Sequence, residues 1–336
     1  MEAKSTDDLS PTAAAAVPSL PLLVYDHGEL PDNCQTMLSV ADGSLHTYQV
    51  PEMRNCRCLV TQRGLVLLVD TVSLQSSLWN PQTGEKIALP AMDKPLPEYC
   101  RCLLSDTVTS PDCIVLVYDL DQTELLFCQL RGGGSWISQS YDIGVYKLPE
   151  SYCPQPKKIK ISSMTAVHGK FYFVDSDVIG VLQFAQDPGP HLEISTFDAP
   201  MPELDTDAPQ VVTMTYLLES SQELFLVCLF FLGCGFERVE EVGAYRMDFS
   251  KQEWCKVTDI GDRVFLLGHQ NFAASCSAVE HGLKRGCVYF AFHFFELSSD
   301  FHIFDLVEGT RELAGPNQQD VPPLARDPFW MIPVLP

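Results

Sequence analysis

The sequence predicts an all-β fold, a β-propeller of about six blades, and three observations carry this prediction. Short runs of β-type residues alternate with turn residues along the chain, and helical periodicity of useful length is absent. Similar segments recur at intervals of about 40–50 residues, as in propellers. The strands are apolar nearly throughout, which suits blades that cover each other's faces.

Strand pairs follow one another in chain order, each pair joined by turn-forming residues. The pairs occupy residues 63–90, 112–130, 168–184, 223–257 and 285–313. In the first pair the turn is Asn80–Gly84, and in the next two it is Asp119–Gln122 and Asp175–Asp177. The repeating span offers about 280 residues, which accommodates about six blades and leaves five or seven open.

The repeats also resemble each other in sequence. Residues 56–70 (CRCLVTQRGLVLLVD) parallel residues 100–119, and residues 162–175 parallel residues 274–292. A single blade has two apolar faces and cannot bury them alone, whereas blades packed radially cover each other. We therefore expect a single propeller domain over residues 21–336, preceded by a flexible, disordered tail at residues 1–20.

One alternative architecture is a pair of β-sandwiches. It requires a linker near the middle of the chain, and the acidic, proline-rich residues 197–210 are the candidate. A connection between blades is the simpler interpretation, because the repeat continues with the same period on both sides.

The net charge is −22, from 22 Lys and Arg against 44 Asp and Glu. Such a field repels phosphate backbones and anionic membrane surfaces, so we expect neither nucleic acid nor membrane as a partner. The basic cluster Lys157–Lys160 is too short to reverse this field, and it is more in keeping with the start of a strand.

The 13 cysteines are an odd number and are spread over the whole chain. The sequence shows no secretory signal, no glycosylation sequon, and no apolar run of the roughly 18 residues that span a bilayer. These features predict reduced thiols and a cytoplasmic or nuclear localisation.

Two thiol pairs, Cys56/Cys58 and Cys100/Cys102, suggest a four-thiolate zinc site. However, they occupy the same repeat position, so we expect buried cysteines in neighbouring blades and no metal. Cys228 and Cys234 could form a redox pair, although burial is again the simpler interpretation.

Other motifs are interpreted as scaffold. The carboxylate pairs Asp119/Asp121, Asp175/Asp177 and Asp259/Asp262 suit calcium or acid–base chemistry, yet aspartates at bends commonly close turns. The glycine run within Arg131–Ser135 lacks the Lys-Ser/Thr of a phosphate loop, so it is expected to be a loop. We expect three tryptophans to pack between blades: Trp79, Trp136 and Trp254. We nominate no catalytic residues, cofactor or partner-binding residues.

Several motifs resemble the plant F-box-associated KIB-type β-propeller family. They are Tyr245–Asp248, Trp254, Ile260–Gly268, Gly286–Phe290, Asn80–Gly84 with Leu89-Pro90, and the terminal DPFWMIPVLP. The resemblance covers residues 21–334 and implies a propeller. It also implies a substrate receptor of a ubiquitin ligase, in which an N-terminal F-box binds a Skp-type adaptor.

About 20 residues precede the first expected strand, which is too few for the three helices of an F-box. We therefore expect a non-catalytic, monomeric protein-interaction module whose partner is another protein. One alternative is a substrate receptor or competitor in an SCF-type ligase pathway without an F-box. Another is a small-molecule binder or enzyme that uses the propeller channel.

Overall fold

The computed structural model describes residues 19–25, 34–131, 134–147, 155–187, 189–204, 211–233, 239–290, 301–315 and 327–335. In these residues the strands form six sheets of four or five strands and one further sheet of two. Sequence neighbours pair antiparallel within the larger sheets, so each of them is one propeller blade. The predicted six-bladed propeller is confirmed, and the paired β-sandwiches are not observed.

The first three blades contain β1 (Leu22–Tyr25), β2 (Cys34–Ser39), β3 (Leu45–Gln49), β4 (Cys56–Val60), β5 (Val66–Asp70), β6 (Ser76–Trp79), β7 (Lys86–Leu89), β8 (Cys100–Leu104), β9 (Ile114–Asp119), β10 (Glu124–Gln129) and β11 (Ile137–Ser140). The connection to the fourth blade contains β12 (Val145–Tyr146) and β13 (Lys157–Lys158).

The remaining strands are β14 (Met164–Val167), β15 (Lys170–Asp175), β16 (Val178–Ala185), β17 (His191–Asp198), β18 (Val211–Ser220), β19 (Glu223–Leu232), β20 (Val239–Asp248), β21 (Glu253–Val257), β22 (Arg263–Gly268), β23 (Phe272–Ser277), β24 (Cys287–Phe290), β25 (Phe301–Asp305), β26 (Thr310–Ala314) and β27 (Phe329–Met331). The helical segments described are α1 (Ala278–His281) and the 3-10 turns Pro51–Met53 and His269–Asn271.

The first blade combines the two ends of the propeller, because β27 pairs with β1 in a sheet of order β27-β1-β2-β3. The strand nearest the axis in each blade is then β27, β4, β8, β14, β18 or β23. Neighbouring members of this set contact each other around the circle, directly or, between β23 and β27, through β22. The ring of blades is therefore closed by pairing of the first and last strands.

The sixth blade has an additional strand. Its order is β23-β22-β24-β25-β26, and β22 runs parallel to β24 instead of antiparallel. A hairpin of β22 and β23 thus replaces a single innermost strand, and its 3-10 turn His269–Asn271 lies beside the propeller axis. Gly261 and Asp262 lie in the connection that leads into this blade, and the sequence did not predict the inserted strand.

The two faces of the disc follow from the antiparallel pairing. We call the face on which the innermost strands begin the upper face. It carries the 269–271 turn, the turns between second and third strands, and the connections between blades, except that the connection into the sixth blade ends on the lower face, where Asp262 lies beside Val279. The lower face carries the remaining turns within blades. The ribbon of β12 and β13 belongs to a connection between blades and therefore to the upper face.

The hydrophobic core consists of layers between blades. One apolar cluster lies between each of the pairs two–three, three–four, four–five and five–six, and a fifth joins blades six, one and two. Large rings such as Phe173, Phe230 and Phe265 are almost fully buried in these layers. Burying one such side chain contributes about 1.5–3 kcal/mol, which explains why nearly every strand is apolar on both faces.

Several local predictions can be compared with this architecture. The predicted strand-forming span 223–257 contains β19, β20 and β21, and β21 pairs with β20 as the outer strand of its blade. The segment 197–204 runs from the end of β17 toward β18, as a connection between blades does, and residues 205–210 lie outside the described chain. Residues 1–18 of the predicted tail also lie outside it. Among the described residues no helix is long and apolar enough to cross a membrane.

Candidate functional site

Residues from four blades converge on a cavity of about 490 Å³ on the upper face, beside the propeller axis. We call this cavity the channel mouth. It is lined by segments that precede or begin innermost strands: residues 57–60, 98–101, 268–270 with Phe272, and 327–330. Among the residues that the structure describes, it brings together two arginines, a histidine, two carboxylates and several aromatic rings.

Arg101, the second residue of β8, fastens the sixth blade to the third. Its Nε donates a hydrogen bond of 2.9 Å to the carbonyl oxygen of Gln270, and its Nη2 donates to that of His269. The guanidinium carbon lies 5.2 Å from the centroid of the Phe272 ring, within the range of a cation–π contact. Burial lowers the pKa of Arg101 to about 10, so it remains a cation at neutral pH.

Arg57, at the equivalent position of β4, holds the connection into the third blade. Its Nη2 donates to the carbonyl oxygens of Pro97 at 3.2 Å and Glu98 at 2.9 Å. On the far side of the mouth, Nδ2 of Asn271 donates to the carbonyl oxygen of Ser162 at 2.9 Å. The 269–271 turn therefore has hydrogen bonds to the third and fourth blades, opposite its own.

Gln62 spans the axis from the lower side. Its Nε2 donates to the carbonyl oxygens of Met164 at 3.2 Å and Leu217 at 3.4 Å, and its Oε1 accepts from Thr165 Oγ1 at 2.6 Å. These residues belong to the innermost strands of the fourth and fifth blades, whereas Gln62 follows that of the second. Side chains thus bridge the axis both below and at the mouth.

The mouth also contains ionisable groups that face each other. His269 Nδ1 lies 3.6 Å from Asp327 Oδ2. The negative charge of Glu98 raises the pKa of the neighbouring Tyr99, whose ring is largely exposed. Two arginines balance two carboxylates here, so the mouth is close to neutral in a chain of net charge −22.

The predicted thiol pairs lie in β4 and β8, at equivalent positions of adjacent blades, as expected. Cys100 and Cys102 are buried, as predicted, whereas Cys56 and Cys58 are only partly buried. Cys58 and Cys100 line the same mouth, which the sequence did not predict. Cys102 packs in the layer between the second and third blades. Burial raises the pKa of Cys100 to about 11 and that of Cys102 well above its usual range, so both thiols stay protonated and are poor nucleophiles.

The predicted pair Cys228 and Cys234 is only half described. Cys228 is buried between the fourth and fifth blades, where burial raises its thiol pKa to about 12. Cys234 lies outside the described residues, as do Gly132 and Gly133 of the glycine run.

Most of the predicted aspartates close turns or connections. Asp119 Oδ1 accepts from the amides of Asp121 at 2.7 Å and Gln122 at 3.0 Å, and Asp259 Oδ1 accepts from that of Gly261 at 2.8 Å. Asp262 and Asp177 likewise accept backbone amides, from Val279 and Met201. Asp175 differs, because burial raises the pKa of its carboxyl and it has no such turn bond in the described chain.

One group of possible metal ligands occurs in the described residues, and it is exposed on the outer strands of the fifth blade: Asp248, Glu253 and Cys255. The amine of Lys251 lies 3.5 Å from an Asp248 oxygen and 3.3 Å from a Glu253 oxygen. One lysine therefore already pairs with both carboxylates, and the arrangement is a surface ion-pair network.

The three tryptophans pack between blades, as predicted. Trp79 and Trp136 are buried in the layers on either side of the second blade, and Trp254 packs against the layer between the fourth and fifth. Trp136 Nε1 also donates to the carbonyl oxygen of Pro90 at 2.9 Å.

Sequence reasoning did not identify the channel mouth. Arg57 and Arg101 are the central residues of the two Cys-Arg-Cys motifs. The repetition of this motif in adjacent blades is the sequence feature that could have indicated the mouth. His269 and Asp327 are 58 positions apart in the sequence and come together only through the β22–β23 hairpin and the closing strand β27.

A second cavity, of about 570 Å³, lies between the fourth and fifth blades on the same face. Its lining includes Asp175, Glu203, Met201 and Leu204, as well as the threonines Thr213 and Thr215 near the start of β18. It contains carboxylates and apolar groups without a facing cation among the described residues, so the channel mouth is the better candidate for recognition chemistry.

Solved structures similar to this chain share low sequence identity with it. A protein from Lactobacillus plantarum matches with a TM-score of 0.42 and 12% identity, covering 88% of this chain and 81% of that one. A streptogramin B lyase has a TM-score of 0.33 and 11% identity over 90% and 86% of the two chains. AztD from Citrobacter koseri has a TM-score of 0.34 and 9% identity, covering 92% of this chain and 96% of that one.

A search of curated proteins finds no match to this sequence. The comparison with protein families does find one, and the match extends over residues 37–318, which is most of the chain. It covers the second to sixth blades and part of the first, because β1 and β27 lie outside the matched residues. The matched residues include the sequence motifs around Trp254 and Gly268. The chain belongs to the KIB1-4 β-propeller family.

Proposed function

We propose that this protein is a non-catalytic interaction module that binds another protein through its upper face. The observation that carries the proposal is the occupied axis. Gln62, Arg101 and Asn271 form hydrogen bonds across it, linking innermost strands or their connections from opposite blades. When structural side chains fill the axis of a propeller, a partner binds on one of the two faces that carry the loops.

The chemistry of the channel mouth supports the same proposal. The hydrogen bonds described for Arg57 and Arg101 go to backbone carbonyl oxygens, a use that positions connecting segments. The thiol of Cys100 in the same mouth is held protonated by burial, which removes the nucleophile that a Cys–His pair with His269 would need. The groups in the mouth therefore serve to shape the surface.

The upper face is favoured over the lower because it carries the mouth, the connections between blades and several exposed apolar side chains. Val72, Tyr99 and Tyr146 all lie in connections or turns of this face with large exposed areas. Aromatic side chains exposed near a concave feature are enriched at protein interfaces.

Affinity purification of the tagged full-length chain, followed by mass spectrometry, tests the proposal. We expect a reproducible protein partner that is lost when exposed upper-face residues are replaced, for example by Tyr99→Glu. The matched control is Val307→Glu on the lower face, which should retain the partner. Recovery of no reproducible partner, with the protein monomeric throughout, would contradict the proposal.

The second candidate function is binding of a small molecule at the channel mouth, favoured by its volume of about 490 Å³ and its facing arginines and aromatic rings. Thermal-shift measurements with a metabolite collection separate the two, because a ligand at 100 times its Kd stabilises the fold by about 2.7 kcal/mol. A ligand whose stabilisation disappears in Arg101→Lys would support this candidate.

A link to ubiquitin ligases remains a prediction from the family resemblance. Co-purification of a Skp-type adaptor with the full-length chain tests it directly. A clean absence of the adaptor, in a preparation that retains other partners, would remove this role while leaving the interaction module intact.

A further inference from the structure

The connection between the third and fourth blades contains a small, isolated β-ribbon. β12 and β13 pair antiparallel, with Val145 opposite Lys158 and Tyr146 opposite Lys157. The ladder continues one step toward the propeller, where the Ile159 amide donates to the Gly144 carbonyl oxygen at 3.0 Å. The ribbon forms a sheet of two strands that joins no blade.

The ribbon exposes apolar side chains. Val145 is 56% exposed and Tyr146 is 41% exposed, although both are residue types that strands normally bury. A two-stranded ribbon is marginally stable by itself in water, and it gains stability when a further strand or surface covers it. The composition of the ribbon therefore favours binding of a further strand or surface from outside the described chain.

The ribbon also carries a concentration of positive charge. Lys147, Lys157 and Lys158 are all exposed on it, whereas the chain as a whole has 44 acidic against 22 basic residues. The next lysine, Lys160, lies 3.4 Å from an oxygen of Asp121 and anchors the base of the ribbon to the third blade. On a strongly acidic protein, a local basic surface attracts an acidic ligand, whereas the rest of the surface repels it. Acidic ligands are therefore directed to the ribbon.

Finally, each ribbon strand has one hydrogen-bonded neighbour, so its other edge is open within the described residues. An open edge offers backbone N–H and C=O groups to an added strand, the mode by which sheet edges bind extended peptides. Backbone pairing would supply affinity, and the flanking lysines and apolar side chains would supply specificity.

We propose that the ribbon formed by Val145–Lys147 and Lys157–Lys158 binds an extended acidic segment of a partner protein. Neighbouring strand residues point to opposite faces, so Lys158 shares one face of the ribbon with Val145, and Lys157 shares the other with Tyr146. The segment pairs along an open edge and on each face places a carboxylate beside the lysine and an apolar side chain against its apolar neighbour. This inference rests on the proposed protein-binding function and names the chemistry of the partner. Nucleic acid and anionic membranes carry the same charge, but the net charge of −22 disfavours such extended polyanions.

A labelled synthetic peptide of repeated Glu-Glu-Val-Val presents glutamate and valine on both faces of an extended strand. Its titration into the full-length chain, followed by fluorescence anisotropy, tests the proposal. We expect saturable binding that weakens as salt rises, and at least about tenfold weaker binding by Lys157→Glu/Lys158→Glu, since charge reversal replaces attraction by repulsion. Lys86→Glu, at an exposed lysine of the second blade, should bind like the original protein. A peptide with glutamine in place of glutamate should bind at least about tenfold more weakly.

Equal binding by the double variant and by Lys86→Glu would overturn the proposal, as would no binding of the acidic peptide at all. Stronger binding of single-stranded DNA or of phosphatidylserine vesicles than of the peptide would also overturn it, in favour of a different polyanion. Circular dichroism confirms that the variants fold. If affinity purification still recovers a partner with the double variant, the ribbon proposal fails while the interaction module stands.

Discussion

The closing strand of the propeller gives the sharpest stability prediction. Trp330 in β27 is 1% exposed, pairs with Leu23 and donates from its indole Nε1 to the carbonyl oxygen of Leu267 at 2.8 Å. Trp330→Ala removes this ring from the layer that joins three blades, and such changes cost about 3–5 kcal/mol. Trp330→Phe keeps most of the ring but removes the indole donor to a buried carbonyl oxygen, at about 1–3 kcal/mol.

Trp79 provides a matched control. It lies in the same apolar cluster and is 4% exposed, yet its indole nitrogen has no hydrogen-bond partner among the described residues. Trp79→Phe therefore breaks no hydrogen bond and should cost about 1 kcal/mol or less, through lost contact area alone. Urea unfolding, with m-values compared to confirm two-state behaviour, measures both. Equal losses for Trp330→Phe and Trp79→Phe would refute the role assigned to the Trp330 hydrogen bond.

Three further predictions concern packing, the channel mouth and acid stability. A Cβ at Gly180 would lie 1.9 Å from the buried ring of Phe173, so Gly180→Ala should lower the unfolding free energy by about 1–3 kcal/mol. The control is Gly134→Ala, which should be neutral because a Cβ there would have no atom within 4 Å. Urea unfolding measures both. Arg101→Ala removes the side-chain hydrogen bonds to the carbonyl oxygens of His269 and Gln270 and should cost at least about 2 kcal/mol, with increased amide exchange in the 269–271 turn by mass spectrometry. The pKa of Asp305 is lowered by an amide hydrogen bond and by a lysine, so its stabilisation is present above about pH 4 and is lost as the pH falls through the lowered pKa. Thermal unfolding between about pH 5 and pH 2 should show a smaller loss of stability for Asp305→Asn, and an unchanged loss would contradict this.

The blades could be predicted from sequence because each is a local unit. Strand pairs are contiguous in the chain and their turns carry recognisable residues, such as Asp119, whose carboxylate accepts two amides of its own turn. The strand-forming span predicted to end at residue 257 is correct for the same reason, because β21 ends at Val257. Apolar residues on both faces of most strands indicated radial packing, which the layers between blades confirm.

Features that depend on contacts between distant segments could not be predicted in this way. The segment around Phe265 has the apolar pattern of a buried strand, but nothing in that pattern shows that it inserts between β23 and β24 and pairs parallel with the latter. The mouth requires Arg101 to reach His269 and Gln270, which are about 170 residues away in the sequence and meet only when the ring closes. Only the cluster of lysines at residues 157–160 indicated the ribbon in the sequence, because the residues around Tyr146 have a weak strand pattern.

Site-specific photo-crosslinking measures directly whether a protein binds to the upper face. A photoreactive benzoylphenylalanine is placed singly at Val72, Tyr99 or Tyr146 on the upper face, and at Val279 or Val307 on the lower face, all of which are exposed. We predict that upper-face positions give the same discrete crosslinked protein, and that lower-face positions give none. Crosslinks only from the lower face, or from no position, would contradict the account.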